Sequence, residues 1–151
     1  MEDLSHYNPE GSTLRRAQLR MLEILKVVDA ICTKHKIEYT LSCGSLLGAV
    51  RHGGFIPWDD DVDVVMDREN FEKVKNLATE NKLPSHFVFE DSLFLKGCRI
   101  PKVRNKNIQV QDRNGGTGIF IDIFPIDGIG NNIDESYKHF HRVDNMYKLL
   151  L

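Results

Sequence analysis

The sequence predicts one α/β (or α+β) domain with a small mixed β-sheet flanked by helices. The first observation is the order of its segments, in which helical periodicity gives way to short β-branched and aromatic runs as α-β-α-β-α-β-β-β-α. The second is size, because 151 residues that are 41% hydrophobic suffice for one core and not for two domains.

The first half of the chain is predicted to hold three helices and two strands after a flexible lead-in over residues 1–11. The first helix runs from Leu14, with Ser12 or Thr13 as its cap, to His35 or Lys36, because apolar residues recur there at helical spacing. Shorter helices are predicted for 44–52 and 69–80, and strands for 37–42 and 62–66.

The second half is predicted to hold three strands, at 86–90, 97–104 and 118–124, and one helix with Asp134 as its cap. The apolar face of that helix comprises Tyr137, Phe140, Val143, Tyr147 and Leu150. Neither a cap nor a stop signal follows the helix. The sequence therefore predicts that the domain, residues 12–151, is incomplete at its C-terminus or that a partner covers this face.

Composition argues against several classes of protein. A net charge of −2 provides no general attraction for nucleic acid. No apolar run approaches the ~20 residues of a membrane span, and the polar, acidic start MEDLSHYNPEG is unlike a signal peptide. The three cysteines form no CxxC pair, which is typical of reduced thiols in a cytoplasmic protein.

Four of the five residues 59–63 are aspartates, and the only tryptophan, Trp58, precedes them. Alternation along a strand predicts that Asp59, Asp61 and Asp63 share one face and that Asp60 lies on the other. Such carboxylates repel one another unless a cation or protons compensate them. Ligands that are all oxygen suit Mg²⁺ or Mn²⁺, so the pattern indicates a metal site.

Asp122 is a third acid, inside the apolar run GIFIDIF. If its strand neighbours the strand at 62–66, Asp122 lies across from Asp61 and Asp63. It could then share the metal or accept a proton from an attacking hydroxyl. The alternative is an acid at a sheet edge, bonded to backbone amides or to Arg104.

The dipeptide Gly44-Ser45 opens a predicted helix, so its backbone amides can face a phosphate group. Close packing of helix against strand is the alternative explanation for Gly44 and for Gly48. Arg51 lies between this turn and the acids and is a candidate phosphate contact. Lys102 and Arg104 share one face of a predicted strand; they could meet the substrate or form a solvated face.

Three blocks of sequence, in this order, closely resemble the LicD family: LSCGSLLGAVRHGGFIPWDDDVDVVMDRENFEKV, PKVRNKN and GIFIDIFPIDG. Members are phosphotransferases related to fukutin and the fukutin-related protein, with the nucleotidyltransferase fold. The resemblance covers residues 14–130. It implies transfer of a phospho-alcohol, typically phosphocholine from CDP-choline, onto a sugar of a surface glycan such as lipopolysaccharide or teichoic acid.

The resemblance also implies roles for particular residues. Asp61 and Asp63 would hold Mg²⁺ (or Mn²⁺) with help from Asp59, and Asp122 would be the base or a further ligand. Gly44, Ser45 and Arg51 would contact phosphates, and Lys102, in a Lys-x-Arg block with Arg104, would neutralise charge. A cytoplasmic protein of this kind could associate peripherally with the inner face of the membrane through its acceptor.

Two other functions use the same residues. A nucleotidyltransferase would pass the nucleotide, rather than the phospho-alcohol, to a small hydroxylated substrate. A non-catalytic domain would bind nucleotide and metal without turnover.

Overall fold

The computed structural model describes residues 4–91, 100–108, 118–128 and 131–149. Its helices are α1 (Thr13–His35), α2 (Cys43–His52), α3 (Arg68–Thr79) and α4 (Ile133–Leu149). Its strands are β1 (Thr40–Leu41), β2 (Asp63–Asp67), β3 (Phe87–Glu90), β4 (Lys102–Asn105) and β5 (Ile119–Ile126). This order confirms the predicted α/β class. The first part of the predicted strand at 97–104 lies outside the described residues.

One five-stranded mixed sheet organises the domain, with strand order β1-β2-β5-β4-β3. The pair β2 and β5 is parallel, and the other three pairs are antiparallel. Because β5 runs between β2 and β4, it is an interior strand. The register places Asp63 opposite Asp122, and Asp122 opposite Lys102.

Helix α1 covers one face of this sheet. It begins where Ser12 Oγ accepts a hydrogen bond from the Arg15 N–H, and it ends at Lys36, whose φ of 54° is left-handed. Its apolar stripe (Met21, Ile24, Val28 and Cys32) is buried against the sheet. Burial of Met21, Ile24 and Val28 stabilises the fold by about 2 kcal/mol for each side chain through the hydrophobic effect.

The two faces of the sheet differ in chemistry because side chains alternate along each strand. On the face toward α1, Val64, Ile121 and Ile123 are completely buried. The residues next to them in sequence, Asp63 and Asp122, therefore point to the opposite face. The same apolar side chains that form the core thus fix the direction of the acids.

Several predicted boundaries were wrong. The strand predicted at 37–42 is reduced to Thr40–Leu41, because Ile37 instead donates its N–H to the Cys32 carbonyl and completes the end of α1. Asp134 does not cap the last helix, since the Oδ1 of Asn132 accepts the Glu135 N–H. On the predicted apolar face of α4, Tyr137 and Phe140 are exposed. The side chains of Val143 and Tyr147, and all of Leu150, lie outside the described residues.

The predicted lead-in packs against the domain from residue 4 onward. Residues Ser5–Tyr7 form a 3-10 turn, and the ring centroid of Tyr7 lies 5.4 Å from that of Trp58. Asn8 is buried and donates to the side chain of Gln18 in α1. Within the described ranges, every helix is too short or too polar to cross a bilayer.

Candidate active site

Asp63 and Asp122 are brought together by the central strand pair. Asp63 is the first residue of β2, Asp122 lies in the middle of β5, and the two are partners in the parallel register. The Asp122 N–H donates to the Val62 carbonyl at 2.9 Å, which fixes this register beside the acids. The position of Asp122 opposite the acidic segment, predicted on condition that the strands pair, is confirmed, and the sheet-edge alternative is excluded.

The pKa of each of these two carboxyls is raised. Burial raises the pKa of Asp63, the charges of Asp61 and Asp122 raise it further, and a hydrogen bond from the Cys43 thiol partly offsets them. Burial also raises the pKa of Asp122, with a further increase from Asp61. The charge of Asp61 therefore raises the pKa of both sheet acids, Asp63 and Asp122, and the three carboxyls form one electrostatic group.

Lys102 contributes a positive charge to this group. It lies opposite Asp122 in the β4–β5 register, is only 5% exposed, and its Nζ forms an ion pair with Asp122. The hydrogen bond and charge of Lys102 lower the pKa of Asp122 against the effect of burial. The Nζ also lies 3.8 Å from the centroid of the Phe120 ring. These contacts hold the charged Nζ of Lys102 beside the acids.

The other acids, Asp59, Asp60 and Asp61, lie in the loop before β2. Carboxylate oxygens of all three lie within 4.8 Å of one another. The prediction that Asp60 points away was wrong, because residues 59–62 are not in the strand and strict alternation does not apply to them. Burial raises the pKa of Asp59, followed by the charges of Asp61 and Asp60.

The start of α2 contacts the acidic loop at Gly44. A Cβ atom placed on Gly44 would lie 2.5 Å from Asp59 Oδ2, so glycine is needed for this close approach. The neighbouring Ser45 accepts the Asp63 N–H at its Oγ, at 2.9 Å, and thereby ties the helix to β2. The residue before the helix, Ser42, makes no side-chain capping bond to it. The predicted phosphate-facing residues and the acids therefore lie side by side.

Gly48 allows close packing, but against the chain that follows α2 and not against a strand. A Cβ there would lie 2.5 Å from the Gly54 carbonyl oxygen and 2.9 Å from the Ile56 nitrogen. This glycine lets the chain after α2 fold back tightly and brings the acidic loop to the sheet.

The two predicted arginines are placed differently from Lys102. Arg104 is 3% exposed; its Nε donates to the Glu90 carboxylate at 3.1 Å and its Nη1 to the Gly118 carbonyl at 2.6 Å. Its charge also lowers the pKa of Asp122, by less than Lys102 does. Arg51 is exposed in the last turn of α2, at the opposite end of that helix from Gly44. Substrate contacts of both arginines stay predictions.

A family model described as the LicD/FKTN/FKRP nucleotidyltransferase domain matches residues 36–148. This match covers most of the chain and includes both groups of acids. The chain belongs to the LicD family. The resemblance found in the sequence is confirmed, and the mixed sheet is that of a LicD-family domain.

Curated relatives of this LicD-family chain include proteins with two different phospho-alcohols in their names. The chain is 38% identical over 123 residues to the lipopolysaccharide cholinephosphotransferase LicD of Haemophilus influenzae, covering 79% of this chain and 46% of that protein. It is 32% identical over 113 residues to the mouse ribitol 5-phosphate transferase FKRP, covering 72% and 23%. An uncharacterised Rickettsia prowazekii protein is 42% identical over 69 residues, covering 46% and 24%. The chain thus spans less than half the length of these relatives.

The chemistry of the LicD-family site fits a divalent cation. Asp59 Oδ2 is buried and has no hydrogen-bond partner among the residues that the structure describes. A buried carboxylate oxygen without a partner is costly, and a cation would remove that cost. All the nearby acidic ligands are oxygen atoms, which hard cations such as Mg²⁺ and Mn²⁺ prefer.

Sequence reasoning missed one residue of this site, Gln18 in α1. It is 1% exposed, and its Nε2 donates to the Asp59 carbonyl at 2.9 Å. The available signal was a polar residue between Ala17 and Met21 on an otherwise apolar stripe. Periodicity alone does not distinguish such a residue from the solvent-facing positions on either side.

Proposed function

We propose that this chain carries the donor-binding part of a metal-dependent phosphotransferase. Its reaction would move a phospho-alcohol, phosphocholine from CDP-choline in the first instance, onto a sugar hydroxyl of a cell-surface glycan such as lipopolysaccharide or teichoic acid. The observation that carries this proposal is the pairing of Asp63 with Asp122 in the central strands beside the start of α2, with Asp61 near enough to raise the pKa of both. The names of the relatives support the reaction class, because they describe transfer of cholinephosphate and of ribitol 5-phosphate.

The proposed metal ligands are Asp59, Asp61 and Asp63, with Asp122 as a further candidate. Their support is the partnerless Asp59 Oδ2 and the raised pKa of Asp59, Asp63 and Asp122, all of which burial and neighbouring acids cause. Bound Mg²⁺ or Mn²⁺ would supply positive charge for the diphosphate of the donor.

The phosphate contacts are assigned to the start of α2 and to Lys102. Backbone amides at Gly44 and Ser45 lie at a helix N-terminus, where they favour anions, and the Lys102 ammonium adds a full charge on the other side of the acids. Arg51 and Arg104 are proposed as outer contacts of the substrate. Together these groups would hold the donor diphosphate in place, and positioning supplies much of the rate in phosphoryl transfer.

Asp122 is the proposed base. The oxygen of the acceptor hydroxyl forms a bond to the phosphorus of the phosphocholine group, and the bond from that phosphorus to the CMP oxygen breaks. The hydroxyl proton passes to Asp122, and CMP leaves with the bonding electrons. The raised pKa of Asp122 makes its carboxylate a better proton acceptor than an ordinary aspartate.

The proposed setting follows from the acceptor. A glycolipid acceptor would lie at the membrane. We propose a cytoplasmic protein that meets the inner face of the membrane only through its acceptor.

The experiment that tests this function is the Asp63→Asn variant, with Asp134→Asn on the exposed start of α4 as its control. Mn²⁺ binding is measured by electron paramagnetic resonance, and CMP release from CDP-choline is measured with a glycan acceptor. We expect D63N to lose both signals while its circular dichroism stays unchanged, and D134N to keep both. Full activity of D63N would end the proposal.

The reaction products separate the two alternatives. Because the matching family model is described as a nucleotidyltransferase domain, transfer of the nucleotide is a specific second candidate. Transfer of a nucleotide from a nucleoside triphosphate releases diphosphate, whereas transfer of a phospho-alcohol from CDP-choline releases CMP. Binding of Mn²⁺ and CDP-choline without either product would indicate the non-catalytic domain.

A further inference from the structure

Gln18 of α1 uses both ends of its side-chain amide. Its Nε2 donates to the backbone carbonyls of Ile56 (3.2 Å), Pro57 (3.4 Å) and Asp59 (2.9 Å). Its Oε1 accepts from Asn8 Nδ2 at 3.1 Å and from Arg15 Nη1 at 3.2 Å. One buried side chain therefore connects the N-terminal segment, α1 and the loop that ends in Asp59.

The orientation of this amide is determined by its surroundings. Turning it over would place Oε1 against three carbonyl oxygens and Nε2 against two donors, which would lose all of these hydrogen bonds. Since Gln18 is only 1% exposed, water cannot replace them. The loop carbonyls are therefore held by a donor that cannot rotate away.

The loop that Gln18 holds has little regular structure of its own. Residues 59–62 belong to neither a helix nor a strand. The Asp59 N–H donates to the Ile56 carbonyl at 3.0 Å, and the Asp59 carbonyl meets Gln18, so both backbone groups of this residue are fixed. Its side chain is thereby directed toward Gly44.

We propose that Gln18 is a positioning residue, which sets the backbone of the acidic loop so that Asp59, Asp60 and Asp61 converge. The metal part of this inference rests on the proposed function, whereas the loop part does not. Among the residues that the structure describes, Gln18 makes no hydrogen bond to an acidic side chain; it acts through the Asp59 backbone. Its loss would loosen the loop while leaving Asp63 and Asp122 in the sheet.

The test replaces Gln18 by methionine, which has a similar length and cannot donate a hydrogen bond. The matched control is Tyr39→Phe, which removes another side-chain hydrogen bond to α1, from Tyr39 Oη to Asp29 at 2.8 Å, without touching the acidic loop. Trp58 lies inside the held loop and is the only tryptophan, so its fluorescence anisotropy and its quenching by acrylamide report on that loop and on its contact with Tyr7. Mn²⁺ binding by electron paramagnetic resonance is the second measurement.

We expect Q18M to lower the anisotropy of Trp58, to increase its quenching, and to weaken Mn²⁺ binding roughly tenfold or more, as losses of outer hydrogen bonds around metal ligands do. Y39F should change neither, although its thermal midpoint falls. A Q18M protein with wild-type Trp58 signals, or one with a looser loop and wild-type Mn²⁺ affinity, would overturn the positioning role. If the wild-type chain binds no Mn²⁺, the metal proposal fails, and Trp58 alone decides whether Gln18 holds the loop.

A second variant covers the case in which Q18M does not fold. Asn8→Ala keeps Gln18 and removes one of the two donors to Oε1, together with the hydrogen bond that Asn8 Oδ1 accepts from the cap residue Ser12. We expect the same changes in the Trp58 signals and in Mn²⁺ affinity, with smaller size, because Arg15 still holds the amide. Wild-type values in N8A together with an unfolded Q18M would show that Gln18 is a packing residue only.

Discussion

The two groups of acids in this site are positioned by different means. Asp63 and Asp122 are fixed by backbone hydrogen bonds of the central strands, and the fully buried Val64, Ile121 and Ile123 hold those strands in the core. The loop acids Asp59, Asp60 and Asp61 have no ladder of this kind. Asp59, the first of them, is held instead by the Gln18 side chain, by a turn hydrogen bond to the Ile56 carbonyl and by its close approach to Gly44.

This difference predicts which property of the protein a substitution in each group changes. Displacing a sheet acid requires the sheet to break, so a substitution there changes chemistry or global stability. A loop acid can move by rotation of a few backbone bonds, so a substitution there changes metal affinity while the fold persists.

The largest effect is expected for Asp122→Asn. Loss of the base should lower phospho-alcohol transfer by about a thousandfold. Because Lys102 stays buried and loses its ion pair with Asp122, the free energy of unfolding should fall by about 3 kcal/mol. Activity assays and urea unfolding measure the two effects.

A double variant separates the effect of the buried Lys102 charge on stability from the effect of losing the base on activity. Replacing both members of the pair, as D122N/K102M, removes the buried charge and should recover part of the lost stability without recovering activity. Stability that falls further in the double variant, or activity that survives in D122N, would contradict these roles.

A smaller and different effect is expected for Gly44→Ala. The added methyl group meets the flexible end of Asp59, which can turn away, so Mn²⁺ affinity should fall about tenfold while stability changes little. Alanine even favours a helix by about 1 kcal/mol over glycine.

The control for G44A is Gly54→Ala, because a Cβ at Gly54 meets no atom within 4 Å. It should leave Mn²⁺ affinity unchanged. If G44A unfolds the domain, or binds Mn²⁺ like the wild type, then the close approach of Gly44 and Asp59 does not position the loop acids for metal.

The smallest effect concerns the far ends of the same two strands. Arg68 donates to Asp127 from Nε at 2.8 Å and from Nη2 at 2.6 Å, and the pair connects the residues that follow β2 and β5. Both side chains are about half exposed, so the contribution of the pair to stability should stay below about 1 kcal/mol.

The pH dependence of this pair follows from the lowered pKa of Asp127, which the hydrogen bond from Arg68 causes first and its charge second. A carboxyl whose folded pKa lies below the unfolded value stabilises the fold above about pH 4 and loses that effect as the pH falls through the folded pKa. Urea unfolding should therefore show D127N to be less stable than wild type at pH 7 and equal to it near pH 2. An equal deficit at both values would contradict the ion pair.

Sequence patterns predicted the parts of the fold that depend on local spacing. The apolar stripe of α1 predicted a long helix, and the run GIFIDIF predicted β5, because burial on one face imposes a period on the residues. The strand order was not predicted. It depends on which distant segments pair, and only the condition that β2 and β5 are neighbours was foreseen.

Sequence patterns predicted the positions of the acids that lie on strands, but they did not predict the arrangement of the acids in the loop. Pairing of the two predicted strands gave the correct position of Asp122 opposite Asp63, but alternation misplaced Asp60, which precedes the strand. Gln18 was missed because its role comes from a hydrogen bond that spans 41 positions. Such contacts follow from tertiary packing and leave no period in the sequence.

The parallel pairing of β2 with β5 has a consequence for folding. Arg68 and Asp127, which follow these strands, are 59 positions apart, and closing a loop of that length costs about 4 kcal/mol of chain entropy. Contacts of long range of this kind form slowly, so Asp63 and Asp122 should meet late in folding. A cation that needs both would then act by slowing unfolding, while the rate of folding stays nearly unchanged.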